Sequence, residues 1–291
     1  MTRILVVLDP DSEKHIALDR INEIDPGADV DFHVALFIEA PSMASRAGQT
    51  LSSFGVMCQW LVELIKPLRD RGYCITTEVI GFTKLYESII KVAEDFGADA
   101  VFKPYRQHYG LHRALIPPTD WRLIRHSRLP MLLVGHDPHV RYRPIVATLD
   151  LSRRDPAHQR LNQRVIEQAS LLASVLHSEV KYLYAQVLQS VSPMAVGSPQ
   201  PLMMNNPDPV TRKRYQIGTF NVEVEQVEVS AWSAAEVITD FARLIGASAI
   251  VIGTVSRSGA SGFLVGNTAE SVVEMSRCDV FVVNNAIGIV R

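Results

Sequence analysis

Between Gly253 and Glu270 the sequence reads GTVSRSGASGFLVGNTAE. The stretch is rich in glycine and hydroxyl side chains, and Arg257 is the only charge before its last residue. An apolar run, ASAIVI, precedes it, and SVVEMSR follows with the pattern of a helix. Such a loop between a buried strand and a helix start suits one chemistry: backbone N–H groups and hydroxyls that converge on an anion, most often a phosphate. Asn267 followed by Glu270 has the spacing of a capping box. The N–H groups at 266–269 include no proline and can point at an anion, aided by the helix dipole. Gly266 lets the backbone approach closely. The loop is neither GxxxxGK[ST] nor GxGxxG, which argues against a Walker-type NTPase and a standard nicotinamide dehydrogenase.

A second candidate is KPYRQHYGLHRALIPPTDW, residues 103–121. Pro117 and Pro118 stand there where the later loop has Gly266 and Asn267, so the N–H donors are lost. The segment and the stretch after it instead carry Lys103, Arg106, His108, His112, Arg113, Arg122, Arg125, His126 and Arg128. Lys103, Arg106 and Arg113 could form a side-chain site for a phosphorylated or acidic ligand; the plain alternative is a solvated basic face. His108 and His112 have i,i+4 spacing, but Gly110 lies between them and no carboxylate is near, so no metal site is expected. There is no GxSxG elbow and no HExxH. Glu223, Glu225 and Glu228 read as the solvent edge of a strand. Asp9 and Asp150 each end an apolar strand, where an aspartate either caps the next turn or meets a ligand.

These residues must be positioned by a scaffold that repeats. RILVVLDP (3–10) is echoed by RPIVATLDLS (143–152), DFGADAVFK (95–103) by LIGASAIVIG (244–253), and PPTDWRLIRHSRLPMLLVG (117–135) by GNTAESVVEMSRCDVFVVN (266–284). Asp9 and Asp150 are 141 residues apart, and Gly97 and Gly246 are 149 apart. Landmarks in the same order at a near-constant offset indicate duplication. Two domains follow, 1–138 and 139–291, with the boundary in HDPHVRYRP (136–144). Strands are expected near 3–9, 31–38, 74–80, 99–103 and 130–135, then near 144–150, 179–186, 222–229, 248–253 and 279–284. Helices are expected near 11–24, 50–71, 83–96 and 119–127, then 157–176, 233–245 and 268–276. Alternation of this kind implies a parallel sheet covered on both faces. In such a sheet Asp150 and the Gly253 loop face one crevice at the carboxyl ends of the strands. Residues 188–210 break the pattern, with a short helix at about 209–217 the only element expected there. Their Met194, Leu202, Met203 and Met204 could cover an apolar surface; the plain alternative is a mobile excursion.

The chain has 291 residues, 47% of them hydrophobic, and a formal net charge of −2. Nothing in that balance points to nucleic acid. Cys58, Cys74 and Cys278 are scattered, which fits a reduced, cytoplasmic protein. The apolar start MTRILVVLDP is too short for a signal peptide, and no run approaches the length of a membrane helix.

With Gly253 at its first position and Gly266 at its last glycine, the loop resembles the universal stress protein pattern G-x2-G-x9-G-[ST] after a fourth strand. Ser256 replaces the second glycine, and Asn267 stands where Ser or Thr is usual, with Thr268 next. PTDW (118–121), VGNTAE (265–270) and RCD (277–279) resemble the tandem, E-type members, and the likeness runs along the whole chain. The resemblance implies two tandem Rossmann-like α/β domains, each a doubly wound, five-stranded parallel sheet in the order 3-2-1-4-5. It implies a pseudo-dimer of the two halves through strands 130–135 and 279–284. It also implies ATP with magnesium in the second half: Asp150 on the adenine or ribose side, the Ala185 backbone at the adenine, and Gly253, Thr254, Ser256, Arg257, Gly266, Asn267 and Thr268 around the ribose and phosphates. The expected role is regulatory or protective, in stress or growth arrest, by binding. Two alternatives stay open: a slow ATPase, and a nucleotide-free module that holds a protein partner or an apolar ligand.

Overall fold

Residues Thr2–Leu8, TRILVVL, form the first strand (β1), and its Leu5 and Val6 are fully buried. A strand covered on both faces has no reason to alternate, which is why its apolar run is continuous. The computed structural model describes residues 2–10, 12, 14–39, 50–105, 119–135, 142–187, 210–229, 232–254 and 267–284. They fall into two compact units, Met1–Pro138 and His139–Ile287.

In the first unit β1 is followed by α1 (Ile16–Asn22), β2 (Val30–Glu39), α2 (Thr50–Asp70), β3 (Cys74–Phe82), α3 (Leu85–Phe96), β4 (Ala100–Pro104), α4 (Thr119–His126) and β5 (Met131–Val134). The strands are all parallel and lie in the order β3-β2-β1-β4-β5. The first helix is shorter than the stretch 11–24, starting after His15. Pro67 lies inside α2, in its last turn.

The second unit contains β6 (Ile145–Thr148), α5 (Pro156–Leu176), β7 (Val180–Val187), β8 (Thr211–Ile217), β9 (Phe220–Val229), α6 (Ala234–Leu244), β10 (Ala249–Thr254), α7 (Asn267–Met275) and β11 (Asp279–Asn284). Its order is β11-β10-β6-β7-β9-β8. Five strands are parallel and follow the expected arrangement, while β8 adds an antiparallel sixth strand outside β9.

Two expectations are corrected here. Where a short helix was expected at about 209–217, Thr211–Ile217 form a strand. Gly218, in the left-handed region (φ 57), allows a two-residue turn with Thr219 that folds β8 back on β9. The glutamates of β9 do lie toward solvent, with Glu223 and Glu228 exposed, but β9 is not the outermost strand. Glu223 faces Arg214 and Glu225 faces Arg212 across the hairpin, and Arg212 Nη2 lies 3.5 Å from Glu225 Oε1. Opposite charges in facing positions stabilise such a pair of strands.

The repeated glycines have a structural reason. Gly97 (φ 69) and Gly246 (φ 63) both leave their helices in the left-handed region. In both, the following alanine N–H returns to a carbonyl of the last turn: Ala98 to Ala93 and Ala247 to Ala242, each 2.8 Å. This closes the helix and starts the fourth strand of the unit.

Candidate functional site

In the second unit the chain leaves β6 toward β7 on one side, while β10 flanks β6 on the other. This is the switch point of the sheet, where the carboxyl ends of neighbouring strands open a crevice. A cavity of about 740 Å³ lies there. Thr148 and Asp150 enter from the β6 end, Tyr184 to Val187 from β7, Gly253 and Thr254 from β10, and Thr268 and Ala269 from the start of α7. One face of α5 closes one side through His158, Leu161, Asn162 and Val165.

Asp150 is held firmly in place. Its N–H donates to Asn162 Oδ1 (3.0 Å), and Asn162 Nδ2 donates back to its carbonyl (2.8 Å). Asn162 is buried, so this reciprocal clamp also satisfies a side chain that burial would otherwise penalise. Asp150 Oδ1 accepts from the Ser152 N–H (3.1 Å) and hydroxyl (2.5 Å). Its side chain keeps 45% of its surface exposed. The clamp depends on where α5 begins. Asp155 caps the helix by accepting from the N–H groups of Ala157 and His158, with Pro156 behind it. His158 Nδ1 sits 2.7 Å from Asp155 Oδ2, and this bond holds the Asp155 carboxyl below its ordinary range. The sequence reading overlooked Ser152, Asp155, His158 and Asn162. The signal for the cap was present in the Asp155–Pro156 pair.

A polar network adjoins Gln186, which lines the cavity from β7. Gln226, buried in β9, donates to Gln186 Oε1 (2.5 Å) and Glu228 Oε1 (2.8 Å). Its own oxygen accepts from Lys213 Nζ (3.3 Å) and the Tyr215 hydroxyl (3.1 Å). Burial, and then the charge of Asp150, push the Tyr184 hydroxyl above its usual range.

Of the residues expected at this site, the structure brings Asp150, Ala185, Gly253, Thr254 and Thr268 to one cavity. Asn267 is the first residue of α7, and Ser256, Arg257 and Gly266 lie outside the described residues. Gly253 has a reason to be glycine that involves no ligand: a Cβ there would lie 2.7 Å from Leu161 Cγ, so α5 lies directly against it. Thr254 gives the complementary observation. It is 3% exposed, and its hydroxyl has no hydrogen-bond partner among the described residues. Such an unpartnered buried polar atom beside a cavity is unusual, because buried polar groups are nearly always hydrogen-bonded.

The first unit is built differently at the same place. Lys103, at the position equivalent to Gly253, puts its Nζ 2.7 Å from Asp120 Oδ1, and both side chains are nearly buried. The Lys103 charge is therefore already matched by a carboxylate in the first turn of α4. This changes the reading of Lys103 as a member of an anion site; Arg106 and Arg113 lie outside the described residues, as do His108 and His112. His15 precedes α1 and packs edge-on against Trp60, with ring centroids 5.4 Å apart. Burial lowers its pKa, against the opposing charges of Asp9 and Asp19. Among the described residues no group of three or more His, Cys, Asp or Glu could hold a metal ion. No described helix is long and apolar enough to cross a membrane.

The profile of the Universal stress protein family matches residues 1–135 and again 141–284. Universal stress protein E of Escherichia coli (strain K12) is 28% identical, over 96% of this chain and 93% of its own length. Among solved structures, a candidate universal stress protein from Pseudomonas aeruginosa UCBPP-PA14 superposes with a TM-score of 0.69 at 23% identity, covering 97% of this chain and 92% of that one. A universal stress protein from Archaeoglobus fulgidus DSM 4304 gives 0.65 at 18% identity, covering 97% and 96%. At these identities the structural likeness speaks for the fold.

Proposed function

We propose that this chain, which belongs to the universal stress protein family and carries the family's domain twice, binds one adenine nucleotide with magnesium in the cavity of its second unit. It acts in the cytoplasm by binding, not by turnover. The observation that carries this reading is the cavity at the switch point, with Asp150, its backbone clamped by Asn162, on one side and the buried, unpartnered hydroxyl of Thr254 on the other. A carboxylate with a fixed backbone and an exposed oxygen suits the hydroxyl or amine donors of a nucleoside. A helix start beside Thr254 and Thr268 suits its phosphates. Bound ATP would supply the phosphate charge that the loop from Gly253 to Gly266 is composed to receive.

Calorimetric titration of the full chain with ATP and magnesium tests this. One site is expected, and Asp150→Ala should weaken it by about 1.5–3 kcal/mol, the worth of a hydrogen bond to a charged group. Phosphate release above the background rate would replace the binding role with a slow ATPase. One observation favours a second reading. Gly253 is explained by helix packing alone, so the loop does not require a ligand for its first glycine. A chain that gives no heat with ATP at any concentration would be the nucleotide-free interaction module.

A further inference from the structure

The strand that the second unit adds to the shared arrangement, β8, anchors a chain of hydrogen bonds that ends in the cavity. Gln226, 5% exposed, sits on β9 outside the cavity lining, while Gln186 lines the cavity from β7. In the parallel pairing of β7 with β9, Tyr184 faces Gln226 and Gln186 faces Glu228, so these four side chains share one face of the sheet. Lys213 and Tyr215 reach Gln226 from β8, across the hairpin. The partners of Gln226 fix its amide in one orientation. Its Oε1 accepts from Lys213 Nζ and the Tyr215 hydroxyl, and its Nε2 donates to Gln186 Oε1 and Glu228 Oε1. An ammonium only donates and a carboxylate only accepts. Turned over, the amide would set N–H groups against Lys213 and an oxygen against Glu228. Both N–H groups of Gln226 are therefore spent as donors, and the Gln186 atom that one of them meets must be its oxygen. What remains to Gln186 is its Nε2, which bonds no other side chain among the described residues.

We propose that Gln186 is a specificity-determining residue of the cavity: with its oxygen held by Gln226, it offers only donors, and so selects a ligand that brings a hydrogen-bond acceptor to the end of β7. Gln226 is its positioning residue. The proposal rests on the nucleotide reading of the cavity. In that reading the phosphates lie toward Thr254 and Thr268, on the β10 side of β6, and the base lies toward β7 on the other side. The acceptor that Gln186 meets is then a ring nitrogen of a purine. A free glutamine discriminates poorly, because its amide can turn to present either N–H or C=O. Here the turn is opposed by a series of partners that begins at the charge of Lys213. A base edge with a donor at this place would leave two donors face to face, which is how a site rejects a wrong ligand. β8 thereby acts on the cavity although none of its residues lines it.

The probes are adenosine and its three deaza analogues, in which N1, N3 or N7 becomes C–H while the sugar is unchanged. With the full chain, one analogue should bind roughly three- to tenfold more weakly than adenosine, the worth of one hydrogen bond. Gln186→Met keeps the length of the side chain and removes its amide, so it should bind that analogue and adenosine equally. Gln226→Met should shrink the same penalty, because it frees the Gln186 amide to turn without touching the ligand. The proposal is overturned if no analogue is penalised, if every penalty survives in Gln186→Met, or if Gln226→Met keeps the full discrimination. A second measurement uses the parent without ligand. NMR should detect a coupling across the hydrogen bond from Gln226 Nε2 to Gln186 Cδ; its absence, or a coupling from Gln186 Nε2 to Gln226 Cδ, would overturn the orientation. If the coupling is present while adenosine and ATP give no heat, the nucleotide reading falls and the orientation of Gln186 stands.

Discussion

At the scale of single residues, the second unit relies on polar side chains that do two tasks. Asp155 caps α5 and also holds His158. Its carboxyl is kept below the ordinary range by the bond from His158, so its stabilising contribution is fully present above the ordinary aspartate pKa. That contribution is lost as pH falls through the lowered value. Asp155→Ala should therefore lower the melting temperature at neutral pH, and the difference from the parent should shrink in acid. A series of melts from neutral to acid pH checks this. Cys278 behaves in the opposite way to a reactive thiol. Burial pushes it up to about 11, so little of it is thiolate near neutral pH. The bond to Asp31 also raises the Cys74 thiol, but Cys74 is exposed, so iodoacetamide should modify it before Cys278, as mass mapping of a time course would show.

At the scale of elements, the contact between α5 and β10 decides the geometry of the cavity. Leu161 lies over Gly253 so closely that a methyl group there meets it at 2.7 Å. Gly253→Ala should destabilise the fold by about 1–3 kcal/mol, since overpacking forces the helix or strand to move. Leu161→Ala alone should cost about 2–5 kcal/mol from the space it leaves. Together the two should cost less than their sum, by about 1 kcal/mol or more, because the new methyl enters the vacated volume. Urea unfolding of the four proteins measures that coupling, and strict additivity would contradict the contact. The hairpin of β8 and β9 follows a similar logic with charge in place of volume. Arg212 and Arg214 face Glu225 and Glu223, which favours this register over a slip by one residue.

At the scale of the whole molecule, the duplication has produced two units that differ at the end of the fourth strand. The second has glycine at the end of its fourth strand, and the first has Lys103 paired with Asp120. An internal ion pair supplies both charges that a bound anion and its partner would otherwise bring. Breaking it by removing Asp120 would leave a nearly buried ammonium without its partner, a change of about 3–5 kcal/mol. Nucleotide should therefore bind once per chain. Asp150→Ala should weaken that event, and Asp9→Ala, at the equivalent place in the first unit, should leave it unchanged. Calorimetry on the two variants decides, and a stoichiometry of two would contradict the asymmetry.

The repeat, the parallel strands and the asymmetry between Gly253 and Lys103 could be read from the sequence because each depends on local chemistry. Continuous apolar runs belong to strands buried on both faces, Gly97 and Gly246 end helices by their left-handed backbone, and prolines remove donors wherever they stand. The hairpin was harder to see. Its evidence is a match between RKR at 212–214 and glutamates beyond Gly218, and this has meaning only once the strands face each other. The support of Asp150 was not legible at all. Asn162 and His158 meet it only when α5 folds back over the end of β6, whereas Ser152, two residues on, joins it in a local turn, and Lys103 on β4 meets Asp120 on α4. The sequence determined which residue types stand at the strand ends. Tertiary packing alone decided which of them are clamped, which are already paired and which are left open, because partners far apart along the chain are brought within hydrogen-bond distance only by the fold.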